Sequence, residues 1–197
     1  IKYAASKNKP MLISTGMASY EDVSDAVITA KNNGCENILL FHCISSYPAP
    51  LEEANLKNLL FLREKFNVEV GLSDHTLSNT AALASVALGA SAIEKHFTIS
   101  RSEKGPDSSF SIEPQELNDL KETTKNTWKA LGEYGFNRSQ CELNNKVFRR
   151  SLYYVNSLKK GQKIKIEDIR RIRPGYGISP KFEDEVVGSV LLKDIDR

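Results

Sequence analysis

The sequence predicts an α/β fold followed by a smaller β-rich domain. Four apolar strand-like runs are each followed by a helix-like stretch, small polar or charged residues close each run, and the pattern changes near Ser139. Short apolar strands alternating with helices imply parallel strands covered by helices. The runs alone leave open whether the strands make an open sheet or part of a barrel. Four units in about 135 residues amount to half of an eight-fold barrel, which takes about 250.

The elements follow in order. Lys9-Pro10 opens the run Met11-Leu12-Ile13, which stops at Ser14-Thr15-Gly16 and reads as a buried strand. Ser19 with Asp22 three positions later is a capping-box signature, and Val23, Ala26, Val27 and Ala30 recur at helical spacing, so a helix spans Tyr20 to Asn32. The second strand, Ile38 to Phe41, ends at His42-Cys43. A loop holding Pro48 and Pro50 leads to a helix striped by Leu56, Leu59, Leu60 and Phe66. The third strand begins at Val68, passes through Val70 and Leu72, and closes on Ser73-Asp74-His75. An alanine-rich helix from Asn79 to Leu88 stops at Gly89. The fourth strand is Ala92 to Phe97. A polar loop, Ser100 to Ser111, precedes a helix entered at Pro114, with Leu117, Leu120, Thr124, Trp128 and Leu131 on one face. Beyond Ser139, Ser151 to Val155 is strand-like, Lys159 to Gln162 is a turn, and Ile164 to Ile169 is a short mixed segment. Arg171 to Gly177 is an irregular loop fixed by Pro174 and two glycines.

These boundaries place a first domain at 1–136, a linker at 137–148 and a second domain at 149–197. Ile1 to Ala5 reads as the tail of a helix, and Asp196-Arg197 comes with no closing strand. The expectation is therefore a missing half-barrel upstream and a truncated second domain.

A chain that is 40% hydrophobic and 26% charged is globular rather than disordered. A formal charge of +2 gives no reason to expect nucleic acid or an anionic membrane as partner. Neither a long apolar run nor a basic-then-apolar leader is present, so the expected location is cytoplasmic. Cys35, Cys43 and Cys141, odd in number and without C-x-x-C spacing, fit a reducing compartment and read as structural.

In a parallel barrel the reacting groups gather at the carboxyl ends of the strands. Here those ends offer Ser14-Thr15, His42 to Ser46, Ser73-Asp74-His75 and Glu94-Lys95-His96. His75 and His96 close adjacent strands, where two imidazoles either hold a divalent cation or hydrogen-bond the rim. Asp74 and Glu94 are either functional carboxylates or partners of Lys95. Ser14, Ser45, Ser46 and Ser73 either face an anion or cap helices. The stretch Gly105 to Ser111 belongs to a twelve-residue polar connection that is longer than usual, and is either a solvated loop or a functional one. Arg173, beside Pro174, is either a surface residue or an anion grip.

Seven pieces in order carry a resemblance: Leu12 to Met17, His42 to Pro50, Gly71 to Thr76, Glu94 to Thr98, Gly105 to Asp107, Arg149 to Leu152, and Arg173 to Gly175. Together they resemble the sialic acid synthase family, which condenses phosphoenolpyruvate with an amino-sugar aldehyde. The resemblance implies the C-terminal half of a TIM (β/α)8 barrel and a small SAF domain, antifreeze-like and of β-clip type. It implies His75 and His96 as ligands of Mn2+ or Mg2+ and Glu94 as an active-site carboxylate. Ser14 and Ser73 would contact the phosphate-bearing substrate, with Ser45 and Tyr47 beside it. Asp107 would bind sugar hydroxyls, and Arg173 would reach the N-acyl group in the other subunit of a homodimer with swapped SAF domains. Ser45-Ser46-Tyr47, Asp107 to Ser111 and Arg173 to Gly177 resemble the family's pseudaminic acid branch, with the neuraminate and legionaminate branches as alternatives. Two other readings stand beside it: a non-catalytic sugar-binding or dimerising piece, and a Schiff-base aldolase using Lys95.

Overall fold

The structure, a computed structural model, describes residues 1–137 and 139–196. Arg138, inside the expected linker, and Arg197, the last residue of the expected second domain, lie outside the described residues. The chain divides into two compact units, Ile1–Glu133 and Tyr134–Arg197.

The first unit runs α1 (Lys2–Ala5), β1 (Met11–Ser14), α2 (Tyr20–Asn32), β2 (Ile38–Cys43), α3 (Asn58–Phe66), β3 (Glu69–Asp74), α4 (Thr80–Ala87), β4 (Ala92–Lys95) and α5 (Pro114–Leu131). α2 starts where the sequence places it. Ser19 Oγ accepts the Asp22 amide at 3.2 Å while the Asp22 carboxylate accepts the Ser19 amide at 2.9 Å. The four strands form one parallel sheet in the order β1-β2-β3-β4. Each strand lies beside the next with no reversal, the winding of a barrel rather than of a doubly wound sheet, whose order turns back at a switch point. The unit is half of a (β/α) barrel.

Register sorts the side chains into two faces, because successive residues of a strand point to opposite sides. Met11, Ile13, Ile38, Leu40 and Val70 pack against Val23, Val27 and Ala30 of α2 and Leu59, Leu62 and Phe66 of α3. The other face, the inner one, carries Phe41, Gly71 and Ala92 on one level. Cys43, Ser73 and Glu94 stand one step nearer the strand tips, with Ser14 at the tip of β1. Gly71 is required here. A Cβ on it would stand 2.7 Å from the Phe41 ring and 2.8 Å from the Ala92 carbonyl oxygen.

Two expectations for this unit need correction. β4 stops at Lys95 rather than Phe97, and Phe97 instead pairs in parallel with Ile112, where the chain returns from the polar loop. On α5 only Leu120 of the expected apolar face is buried, packed with Ala82 and Ile112. Leu117, Trp128 and Leu131 are exposed. α4 has 8 residues and α5 has 18, about 12 Å against about 27 Å at 1.5 Å per residue, so α4 alone cannot cover the whole of that face.

In the second unit the expected linker is helical. α6 (Gln140–Leu143) and a 3-10 turn at Asn144–Phe148 occupy it, and Ser139 and Glu142 form a capping box. β5 (Ser151–Tyr154) pairs antiparallel with β6 (Ile169–Ile172), and α7 (Glu183–Val186) follows. Leu152, Leu158, Ile164, Ile169 and Leu191 make the core. Arg171 and Ile172, expected in the irregular loop, belong to β6, and Arg171 grips Glu183 through two hydrogen bonds of 2.7 and 2.6 Å. Ile195 pairs with Leu158 in an isolated antiparallel bridge.

Candidate functional site

The tips of β3 and β4 and the loops after them build one polar cluster. Ser73 and Glu94 face each other across the register, and the Ser73 hydroxyl donates to Glu94 Oε1 at 2.7 Å. One residue further along each strand, Asp74 and Lys95 point to the helix face. There the Lys95 ammonium meets Asp74 Oδ2 at 2.7 Å and also donates to the carbonyls of Thr76 at 2.6 Å and Ser78 at 3.3 Å. Both side chains are buried, 3% and 1% exposed. Lys95 therefore anchors the β3 and β4 tips, and a Schiff-base role for it falls away: its three N–H donors are engaged and it faces away from the inner row.

The next residues, His75 and His96, bring their rings together, with centroids 5.3 Å apart and planes at 65°. His75 Nδ1 lies 2.7 Å from the Ile44 carbonyl oxygen. A carbonyl only accepts, so Nδ1 carries the proton and the neutral ring keeps its lone pair on Nε2. Ser73 Oγ is 3.3 Å from that Nε2, but its single proton is directed at Glu94. His96 turns Nδ1 towards Asp107 Oδ2 at 3.4 Å, and its Nε2 has no hydrogen-bond partner among the described residues. Each imidazole thus has one nitrogen held by an oxygen and the other available, the arrangement that orients metal-ligating histidines. Among the described residues no group of three or more His, Cys, Asp or Glu is placed to hold a metal ion. A cation here would take two protein nitrogens and complete its shell with water or substrate oxygens. Such a donor set fits Mn2+ better than Mg2+, which prefers oxygen ligands.

Asp107 reaches His96 because the long loop is clamped. Arg101 pairs with Glu116, its amide donates to Glu113 Oε1 at 2.8 Å, and its Nε donates to the Ser111 carbonyl at 3.1 Å. The Glu113 amide holds the Glu116 carboxyl below the usual range, with Arg101 adding to it, and the Glu116 side chain raises Arg101 in return. The Ile112 amide then donates to the His96 carbonyl at 2.8 Å, fixing the loop's return beside β4.

Tyr47 lies over His75 with centroids 4.3 Å apart, held by the Ala49 amide donating to the His75 carbonyl at 2.9 Å. Ser14 and Ser45 gather at the β1 and β2 tips. Ser14 Oγ is 3.1 Å from Cys43 Sγ, the Gly16 amide donates to the same sulfur at 3.0 Å, and Ser45 Oγ adjoins Gly16. The third histidine, His42, faces the helix layer and bonds the Ala54 carbonyl at 2.8 Å. Burial pushes its pKa down, partly opposed by that bond. Arg173 is exposed on the second unit, where the Tyr153 hydroxyl donates to the neighbouring Pro174 carbonyl at 2.9 Å.

Of the expected residues, Tyr47, Ser73, His75, Glu94, His96 and Asp107 converge. Sequence reasoning missed Phe110, whose ring lies 5.0 Å from His96, and Cys43, whose sulfur sits among Ser14 and Gly16. The register could have found Cys43, since it pairs with Ser73 on the inner face.

A parallel half-barrel whose strand tips bear a Ser–Glu pair and two facing imidazoles defines a barrel protein with its site at the carboxyl ends of its strands. Residues 1–135 match the NeuB family and residues 149–197 match the SAF domain. The chain belongs to the NeuB family. It is 37% identical over 196 residues to a pseudaminic acid synthase of Campylobacter jejuni, covering 100% of this chain and 57% of that protein. An N,N'-diacetyllegionaminic acid synthase of the same species is 39% identical over 197 residues, covering 98% of this chain and 59% of that protein. The crystal structure of N-acetylneuraminic acid (sialic acid) synthetase from Leptospira borgpetersenii superposes with a TM-score of 0.68 at 34% identity. That match covers 75% of this chain and 52% of the other. The chain thus spans less than two thirds of the length of these relatives. None of its helices is long and apolar enough to cross a membrane, among the described residues.

Proposed function

We propose that this chain carries the cation and sugar side of a synthase that joins phosphoenolpyruvate to an amino-sugar aldehyde. The sugar is a 2,4-diacetamido-2,4,6-trideoxy hexose, and the products are a nine-carbon keto acid and phosphate. The observation that carries this reading is the convergence of His75 and His96 beside the Ser73–Glu94 pair, with His75 Nε2 3.3 Å from the Ser73 hydroxyl and His96 Nε2 without a hydrogen-bond partner among the described residues. Held by those two nitrogens, a Mn2+ ion would polarise the aldehyde oxygen as a Lewis acid. The residues of the chain do the rest. Glu94, kept facing inward by Ser73, places a carboxylate where positive charge grows on the enol carbon as the new carbon–carbon bond forms. It then takes the proton of the water that adds there before phosphate leaves. Ser14 and the Gly16 region hold the phosphate-bearing substrate, and Asp107 accepts sugar hydroxyls. Arg173 would act from the SAF domain on the N-acyl group in a cytoplasmic homodimer, which size-exclusion with light scattering tests.

The test is phosphate release from phosphoenolpyruvate with this sugar, by the chain alone and supplied with the N-terminal part of a family relative. Release that needs Mn2+ and disappears in His75→Ala and His96→Ala supports the reading. Release that persists under chelation sinks the metal's part in it. A second reading, a non-catalytic sugar-binding piece, is favoured by the outer edges of β1 and β4, which pair with no strand among the described residues. Sugar binding without phosphate release under either condition would establish it.

A further inference from the structure

On the helix side of the sheet, between the tips of β1 and β2 and the helices α2 and α3, lies a cavity of about 220 Å3 that shares no residue with the histidine cluster. Its lining is largely aromatic. Tyr20, at the start of α2, stacks on Phe66 of α3 with centroids 5.5 Å apart and meets Phe61 edge-on at 6.2 Å. His42 stands in the same wall and is 4% exposed. Its Nε2 donates to the Ala54 carbonyl at 2.8 Å, which fixes the tautomer and leaves Nδ1 as an acceptor. Burial lowers the pKa of this ring, so near neutral pH it keeps the Nδ1 lone pair. Nδ1 has no hydrogen-bond partner among the described residues, yet no buried side-chain nitrogen or oxygen among them goes unbonded. It therefore reaches accessible space, and the space on its side of the sheet is this cavity.

Neighbouring polar groups are committed elsewhere. The Thr15 hydroxyl donates to the Phe41 carbonyl at 3.0 Å, the Gly16 amide donates to Cys43 Sγ at 3.0 Å, and Ser19 Oγ accepts the Asp22 amide. Asn58, the first residue of α3, is exposed to solvent. A water on Nδ1 would find these donors engaged and fall short of the roughly three bonds a buried water makes. One acceptor at the end of an aromatic wall suits a ligand that is apolar except for a single donor. We propose that this cavity binds a small neutral aromatic molecule of the phenol class. Its hydroxyl donates to His42 Nδ1 while its ring packs against Tyr20, Phe61 and Phe66. The site stands apart from the synthase reading and does not depend on it.

NMR titration of the 197-residue chain with phenol, and with toluene as a probe of the same shape lacking the donor, tests the site. Phenol should shift the Gly16 amide and the His42 Nδ1 resonance saturably. It should bind about fivefold more tightly than toluene, the net worth of one neutral hydrogen bond. Phe61→Ala, at a ring 44% exposed and therefore mild in its effect on folding, should weaken phenol about threefold and leave the phenol-to-toluene ratio unchanged. His42→Leu should erase that ratio; if that variant does not fold, the two probes on the unaltered chain still decide. Toluene binding as tightly as phenol overturns the inference, because Nδ1 then takes no part. No saturable shift at Gly16 or His42, or phenol binding untouched by Phe61→Ala, overturns it as well.

Discussion

Replacing Lys95 with methionine should be among the most damaging single changes in the first unit. The Lys95 ammonium meets Asp74 at 2.7 Å, and the two side chains are 3% and 1% exposed. Methionine fills most of the same space but leaves the Asp74 carboxylate buried without its counter-charge, and it strips a donor from the Thr76 and Ser78 carbonyls. Breaking one side of a buried pair costs about 3–5 kcal/mol, whereas replacing both sides together costs far less. Asp74→Asn keeps an acceptor for the Thr76 amide, which now donates to Asp74 Oδ1 at 2.9 Å. The double variant Asp74→Asn/Lys95→Met should therefore recover most of the loss. Urea unfolding followed by circular dichroism reads both, with an unchanged slope showing that the unfolding reaction is the same. A loss below about 1 kcal/mol in Lys95→Met, or a double variant as unstable as the single one, would refute the anchoring role.

Three further outcomes follow from the packing. Gly71→Ala should destabilise the first unit by about 1–3 kcal/mol through overpacking. Adding Phe41→Leu should rescue it only in part, since the Ala92 carbonyl oxygen at 2.8 Å remains; thermal melts check this. Because burial lowers the His42 pKa from 6.5, the unfolded chain binds the proton more readily than the folded one. His42 therefore contributes its full stability above pH 6.5 and loses it as pH falls through the lower folded value, and His42→Gln should flatten that part of a stability–pH curve. In the second unit, Tyr153→Phe should cost about 1 kcal/mol by removing the hydrogen bond to the Pro174 carbonyl. Gly175→Ala should cost more, because its Cβ would lie 2.6 Å from the Lys146 carbonyl oxygen, and chemical denaturation ranks the two.

Elements whose signals are local were legible in the sequence. The Ser19–Asp22 box set the start of α2, Pro114 opened α5, and each of β1 to β4 ended within two residues of its expected polar tip. The same rule, applied to Ser139 and Glu142, would have shown a helix in the expected linker. What was not legible depends on contacts between distant segments. The apolar stripe on α5 could not reveal that α4 is too short to cover it whole. The strand alternation names Asp74 and Lys95 as partners once the register is known, but the register itself is a tertiary fact. Six of the nine expected site residues converge because the tips of β3 and β4 are neighbours in the register and the loops holding Tyr47 and Asp107 close beside them. Phe110 stayed invisible because a ring in a polar loop has no periodicity to betray its direction.

The two rungs that join the tips of β3 and β4 have opposite destinies. One rung, Ser73 with Glu94, lies on the inner face, with Glu94 exposed there; the next, Asp74 with Lys95, is sealed beneath the helices and rivets the same two strands. The loop facing the first rung can change while the second keeps the backbone beneath in place. That separation of duties is achieved within two consecutive residues of each strand.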